Sequence, residues 1–164
     1  MSTPATQERP TPRGTVAERI DRRWPGETRS TFESSTATTE VVCPRELLGE
    51  LCRCLFHEWD LSFAGLIVEE DQDEWGLRYV FYGAGESGWV HVLATAPLAD
   101  KLFPSIVQWV HAADWHERVA EDLYGIHFEG HPGLLRPRGG GLARTAYQPG
   151  QVHLVEFLFA RLDA

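Results

Sequence analysis

The sequence predicts an α+β domain in two layers, with helices packed on one face of a mostly antiparallel mixed sheet. Three observations predict it. One amphipathic helical stretch opens at Pro44, three segments of strand character follow in quick succession between residues 61 and 95, and a second helical stretch ends at Gly125. Strands grouped between helices, rather than alternating with them, favour helices gathered on one side of a sheet. At 164 residues the chain has room for one such domain with a real core.

The elements follow in chain order. Residues 1–40 are rich in Thr, Ser, Pro and Arg and read as a flexible N-terminal arm, with one short amphipathic stretch at Val16 to Trp24, where Val16, Ile20 and Trp24 recur every four positions. The domain then occupies residues 41–164. Pro44 at a first helical position opens a helix whose apolar set Leu47, Leu48, Leu51, Cys52, Leu55, Phe56 and Trp59 keeps the spacing of one buried face. Leu61 to Val68 is an apolar run, Leu77 to Tyr82 is aromatic and β-branched, and Trp89 to Thr95 alternates. These strands are joined by the acidic stretch Glu69 to Glu74 and by Gly83-Ala84-Gly85-Glu86-Ser87-Gly88, both of hairpin composition, so antiparallel pairing is expected.

After a turn through Phe103 and Pro104, Ile106 to Val110 reads as helical. So does Asp114 to Tyr124, with Trp115, Val119, Leu123 and Ile126 as its inner stripe and Gly125 as a left-handed stop. Residues 126–141 hold too many Gly and Pro for regular structure and read as a projecting loop, and Val152 to Leu162 is a last apolar segment of strand character.

Composition removes several function classes. The net charge of −9 comes from the second part of the chain: residues 1–40 hold six acids and six arginines, and residues 41–164 hold eighteen acids against nine bases. An acidic domain disfavours nucleic acid and anionic lipid as direct partners. No apolar run is long enough to span a bilayer, and Met1 to Arg13 lacks the order of a secretory signal, which points to the cytoplasm. Three cysteines without a CxxC pair supply neither a disulfide framework nor a ligand set for zinc or an iron–sulfur cluster. No metal, cofactor or catalytic residue is therefore assigned to this chain.

Two metal-like strings carry little weight. His127, Glu129 and His131 would share one side of an extended segment, and Asp71 with Asp73 looks like the opening of a calcium loop but lacks its later ligands. No G-x-S-x-G or phosphate-binding glycine loop is present. On the second helix, Arg118 has Glu121 and Asp122 three and four positions away, a spacing that allows an arginine held between carboxylates.

The segment Ala113-Asp114-Trp115-His116-Glu117-Arg118, continued through Asp122 to Pro132, carries the identity. Trp115, Glu117, Arg118, Asp122, Gly125, Ile126, Phe128, Gly130, His131, Pro132, Leu134 and Arg136 match in register a pattern that reads, approximately, W-x-E-R-E, then D, then G-I-x-F-x-G-H-P, L and R. That pattern resembles the signature of the C-subunit family of NADH:quinone oxidoreductase (respiratory complex I, 30 kDa subunit), which includes the related subunit of energy-converting, membrane-bound [NiFe] hydrogenases. Val119 stands where the family has the second Glu, and Gly133 and Leu135 replace an acid and an arginine.

The resemblance implies a non-catalytic hydrophilic subunit without a cofactor of its own, scaffolding a large (D-type) catalytic subunit and an iron–sulfur subunit. Iron–sulfur clusters and the NAD/quinone or nickel–iron site are then expected in those partners. Membrane contact would run through them, on the cytoplasmic side. It further implies a subunit interface made by Trp115, Glu117, Arg118, Asp122, Phe128, His131, Pro132, Leu134 and Arg136. A stand-alone binding or assembly module that kept the fold without redox partners is the alternative.

Overall fold

The computed structural model describes residues 15–84 and 88–133. The first helix, α1 (Val16–Arg23), is nucleated locally: Thr15 Oγ1 accepts the Glu18 N–H at 3.3 Å while the Glu18 carboxylate accepts the Thr15 N–H at 3.1 Å. This reciprocal cap satisfies two donors that a helix start otherwise leaves open. Val16, Ile20 and Trp24 are buried in the core, as their spacing anticipates. Arg23 adds a two-pronged contact to Glu58, at 2.6 and 3.2 Å.

An antiparallel pair follows, β1 (Arg29–Glu33) and β2 (Thr38–Val42), and β2 then pairs in parallel with β5 (Gly88–Pro97), Thr38 opposite Trp89 through Val42 opposite Leu93. The boundary expected at residue 40 thus falls inside a sheet strand, and residues 15–40 contribute to the core rather than standing apart from it. β2 buries only one large apolar side chain, Val41. Backbone pairing, which composition does not reveal, holds it in place.

β3 (Ser62–Glu70), β4 (Glu74–Gly83) and β5 form the expected antiparallel meander, and the sheet runs β1-β2-β5-β4-β3. Alternation separates the two faces. Leu77, Tyr79 and Phe81 of β4 and Val90, Val92 and Ala94 of β5 point into the core. On the opposite face Arg78 lies between Glu69 and Glu40, and Glu40 also meets His91 at 2.9 Å.

Helix α2 (Arg45–Arg53) is capped by Pro44 and runs into a wider turn at Cys54–Glu58, closed by the Trp59 N–H to Cys54 O bond at 3.0 Å. The expected helix is therefore correct in position but not regular throughout. Cys54 and Leu55 face the core there, as the consecutive pairs Leu47 with Leu48 and Leu51 with Cys52 do in the regular part of the helix. Cys43, Cys52 and Cys54 are buried and unbonded, and burial pushes the Cys43 thiol up to about 12 and the Cys54 thiol to about 11. Such thiols stay protonated and inert at neutral pH.

Two departures from expectation shape the site. First, Ile106 to Val110 forms a turn, not a helix, followed by a short 3-10 turn at His111–Ala113 that feeds α3 (Asp114–Tyr124). Ser105 and Glu117 take the N–H groups of Val107 and Ile106 at the start of the first turn, and Trp109 and Val110 both donate to Ile106 O, at 3.0 and 2.8 Å, so one turn forms and is not continued. Second, β6 (Leu102–Pro104) and β7 (His127–Glu129) pair in parallel as a small second sheet. Three-residue strands flanked by Gly and Pro leave no periodicity to read. α3 ends as expected at Gly125, with φ +68° and its N–H on Glu121 O at 2.8 Å.

The buried face of α3 differs from the predicted stripe. Val119 and Ile126 are buried as expected, but Trp115 is 54% exposed, while Glu117 and Ala120 are fully buried and Tyr124 nearly so. A charged residue occupies the centre of the inward face. Among the described residues, no helix is long and apolar enough to cross a membrane.

Candidate functional site

Glu117 sits at 0% exposure where α3 crosses the sheet and the Ser105 turn. Its Oε1 accepts the Tyr79 hydroxyl at 3.1 Å and the Ile106 N–H at 2.9 Å, and its Oε2 accepts the Ser105 hydroxyl at 2.6 Å. One carboxylate therefore ties three chain segments together. Burial raises its pKa to about 7 against the opposing pull of these donors, and nearby Asp114 adds to the rise.

Next along the helix, Arg118 lies across Asp114, with Nε to Oδ2 at 3.0 Å and Nη2 to Oδ1 at 3.1 Å, and its Nη1 donates to Gly133 O at 3.1 Å. The expected partners Glu121 and Asp122 are not the ones that hold it. Asp114, four residues earlier, offers both oxygens to the planar guanidinium, while Glu121 turns to His127 at 3.2 Å. The hydrogen bonds and charge of Arg118 hold the Asp114 carboxyl below the usual carboxylate range.

His131 completes the arrangement. The backbone turns at Gly130, with φ +80°, and swings the His131 ring inward until its side chain is fully buried. Nδ1 accepts the Gly133 N–H at 3.1 Å, which assigns the proton of the neutral ring to Nε2. Nε2 in turn faces Asp114 Oδ1 at 3.4 Å and Glu117 Oε2 at 3.9 Å.

Of the residues expected at an interface, Glu117, Phe128 and His131 are inside, Arg118 is half exposed, and Trp115, Asp122 and Pro132 are exposed. Leu134 and Arg136, with the rest of the expected loop from residue 134 onward, lie outside the described residues, as does the segment Val152 to Leu162. Tyr79, Ser105, Asp114 and Gly133 belong to the cluster although none of them was expected as a site residue. Only Asp114 carried a usable signal, its position four residues before Arg118.

The H-x-E-x-H string does not converge: His127 and Glu129 are exposed on β7, while His131 points into the protein. Among the described residues, no group of three or more His, Cys, Asp or Glu side chains is arranged to hold a metal ion. The cluster as built braces α3, the Ser105 turn, β4 and the turn after β7 against one another.

A family model described as "Respiratory-chain NADH dehydrogenase, 30 Kd subunit" matches residues 41–138. The C/D subunit of the NADH-quinone oxidoreductase of Methylococcus capsulatus is 28% identical over 83% of this chain and 25% of its own length. The C subunit of the Burkholderia thailandensis enzyme is 35% identical over 65% of this chain and 60% of its own length, and that of Coxiella burnetii is 60% identical over 35 residues. This chain thus spans between a small part and about three fifths of these relatives. Among solved structures, a trypsin-resistant fragment of Nqo5 has a TM-score of 0.59 at 22% identity, covering 71% of this chain and 98% of that one. A chain of the membrane-bound sulfane sulfur reductase, an archaeal respiratory membrane complex, has a TM-score of 0.63 at 18% identity, covering 79% of this chain and 81% of that one.

Proposed function

Because this chain belongs to the 30 kDa subunit family of respiratory-chain NADH dehydrogenase, we propose that it is a non-catalytic, cofactor-free subunit of a membrane-associated oxidoreductase of that kind. In this reading it scaffolds a large catalytic subunit and an iron–sulfur subunit on the cytoplasmic side of the membrane. The redox centres, whether iron–sulfur with NAD and quinone or nickel–iron, belong to those partners. The chain reaches the membrane only through them.

The observation that supports this reading is the two-sided use of α3. Its inner side spends Glu117, with His131, on enclosed hydrogen bonds that no substrate can reach, while its outer side presents Trp115 at 54% exposure and Asp122. A rigid helix with an exposed tryptophan suits a contact between subunits, since aromatic anchors contribute strongly at interfaces. A second reading, a stand-alone module, is permitted by Val119, Gly133 and Leu135, which depart from the signature.

Affinity capture of the tagged full chain from native membranes in mild detergent, with partners identified by mass spectrometry, separates the two. Recovery of a large subunit with nickel-site cysteines identifies a hydrogenase-type assembly, and recovery of quinone-site and NADH-oxidising partners identifies the other. A chain that runs alone overturns the subunit reading. Trp115→Asp should reduce partner recovery, and urea unfolding of the same variant separates loss of the contact from loss of the fold.

A further inference from the structure

His131 makes one hydrogen bond that its charged form cannot keep. Its Nδ1 accepts the Gly133 N–H at 3.1 Å, and its Nε2, buried without a partner at normal hydrogen-bond geometry, is aimed at Asp114 and Glu117 at 3.4 and 3.9 Å. An imidazolium carries a proton on both nitrogens. The Nε2–H of that form would still face two carboxylates, but an Nδ1–H would meet the Gly133 N–H head on.

We infer that His131 is a proton-operated latch: the neutral ring fastens the turn at residues 131–133 to α3, and a proton at Nδ1 expels the Gly133 amide and releases that turn. The proton comes from solvent hydronium, whose O–H bond breaks as one N–H bond forms at Nδ1, and the hydrogen bond that Nδ1 accepted from the Gly133 N–H is lost. The Arg118 bond to Gly133 O, at 3.1 Å, holds the other side of the same residue. With the latch open, the Arg118 bond to Gly133 O is what remains on that turn.

Charged and titratable groups surround the ring from every packed element. Asp114 and Glu117 on α3 face its Nε2, and Arg118 is paired with Asp114. His111 lies close enough to Asp114 to act on it, Tyr79 of β4 and Ser105 donate to Glu117, and the buried Cys52 thiol of α2 feels the Glu117 charge. The inference stands on this geometry and not on membership of any complex.

The test is an NMR titration of the isotope-labelled full chain from about pH 8 to about pH 5, the span in which imidazoles titrate. Long-range proton–nitrogen spectra report the His131 tautomer, and hydrogen exchange, corrected for intrinsic rates, reports protection of the Gly133 amide. The expected result is the Nε2–H tautomer at high pH, with Gly133 protection falling about tenfold along the same curve that protonates Nδ1, the factor one hydrogen bond contributes to an opening equilibrium. A Gly133 amide indifferent to that titration, an Nδ1–H tautomer at high pH, or a ring that never titrates in the folded chain overturns it. His131→Asn, which keeps an acceptor but cannot titrate, should make Gly133 protection independent of pH. The unmodified chain alone decides the matter if that variant fails to fold.

Discussion

Tyr79 of β4 and Glu117 of α3 meet in the interior, the tyrosine hydroxyl donating to the glutamate at 3.1 Å across 38 residues of sequence. Both side chains are fully buried. Desolvation holds the Tyr79 phenol well above its ordinary pKa, so it remains a donor throughout the accessible pH range. The most identifying carboxylate of the sequence thus turns inward, and joins helix to sheet where an apolar contact would ordinarily do so. A buried carboxylate left without donors would be costly, which explains why a phenol, a hydroxyl and a backbone amide all converge on it.

Stability should therefore fall as pH rises through the Glu117 titration. Its folded pKa is raised from 4.5 to about 7, so between these values the folded state holds a proton that the unfolded chain has released. The contribution is fully present below pH 4.5 and lost by pH 7 to 8, on the order of 3 kcal/mol in all at about 1.4 kcal/mol per pKa unit. Glu117→Gln, whose amide can keep Tyr79 and Ile106 on its oxygen and donate to Ser105, should flatten this slope. Urea unfolding across the window checks it; equal slopes in both proteins would remove Glu117 as the cause.

Tyr79→Phe should cost about 1.5 to 3 kcal/mol, the range for a hydrogen bond to a charged group, and the loss should be larger at pH 8 than at pH 5. The sign follows from the donor: the Tyr79 bond favours the ionised Glu117, so removing it matters most where Glu117 is ionised. Denaturant midpoints at the two pH values report the difference. A loss independent of pH would mean that Tyr79 acts through packing alone.

The meander of β3, β4 and β5 and the end of α3 could be read in the sequence because alternating burial and a glycine stop are local signals. Other parts left no such trace. β2 presents Thr38, Thr39 and Glu40 and is held by parallel backbone pairing to a strand far along the chain, so composition made it look like part of an arm. β6 and β7 are too short to show a period. Within the site, Trp115 to Pro132 was recognisable as a unit, yet the direction each residue faces was not. A glutamate at the centre of a buried face reads as a surface residue until the tyrosine and serine that serve it, far away in sequence, are brought beside it.

Gly49 marks a close approach of α2 to the Trp109 ring, where an added Cβ would lie 2.6 Å from Cζ3 and 3.0 Å from Cη2. The ring is rigid and packs against the core, so it cannot give way as a flexible chain end would. Overpacking of about 1 to 3 kcal/mol outweighs the roughly 1 kcal/mol that alanine gains over glycine in a helix. Gly49→Ala should be destabilising by about 1 kcal/mol and should displace the Trp109 indole resonance, whereas a stabilised protein would show that the ring can move aside.

The turn after β7 offers a sharper test of which contact holds it. An alanine Cβ at position 133 would lie 1.8 Å from Arg118 Nη2 and 2.8 Å from its Cζ, so Gly133→Ala must push the guanidinium off the Gly133 carbonyl. Arg118 is 37% exposed, and its side chain can swing into solvent, so the cost should stay within about 1 kcal/mol. Arg118→Ala removes the same contact from the other side. If the two residues act only on each other, Gly133→Ala should cost almost nothing once Arg118→Ala is present, giving a coupling close to the whole single-variant loss in a double-mutant cycle. Additive losses would mean that position 133 matters through its backbone or its bond to His131, and would separate the arginine clamp from the imidazole latch on the same turn.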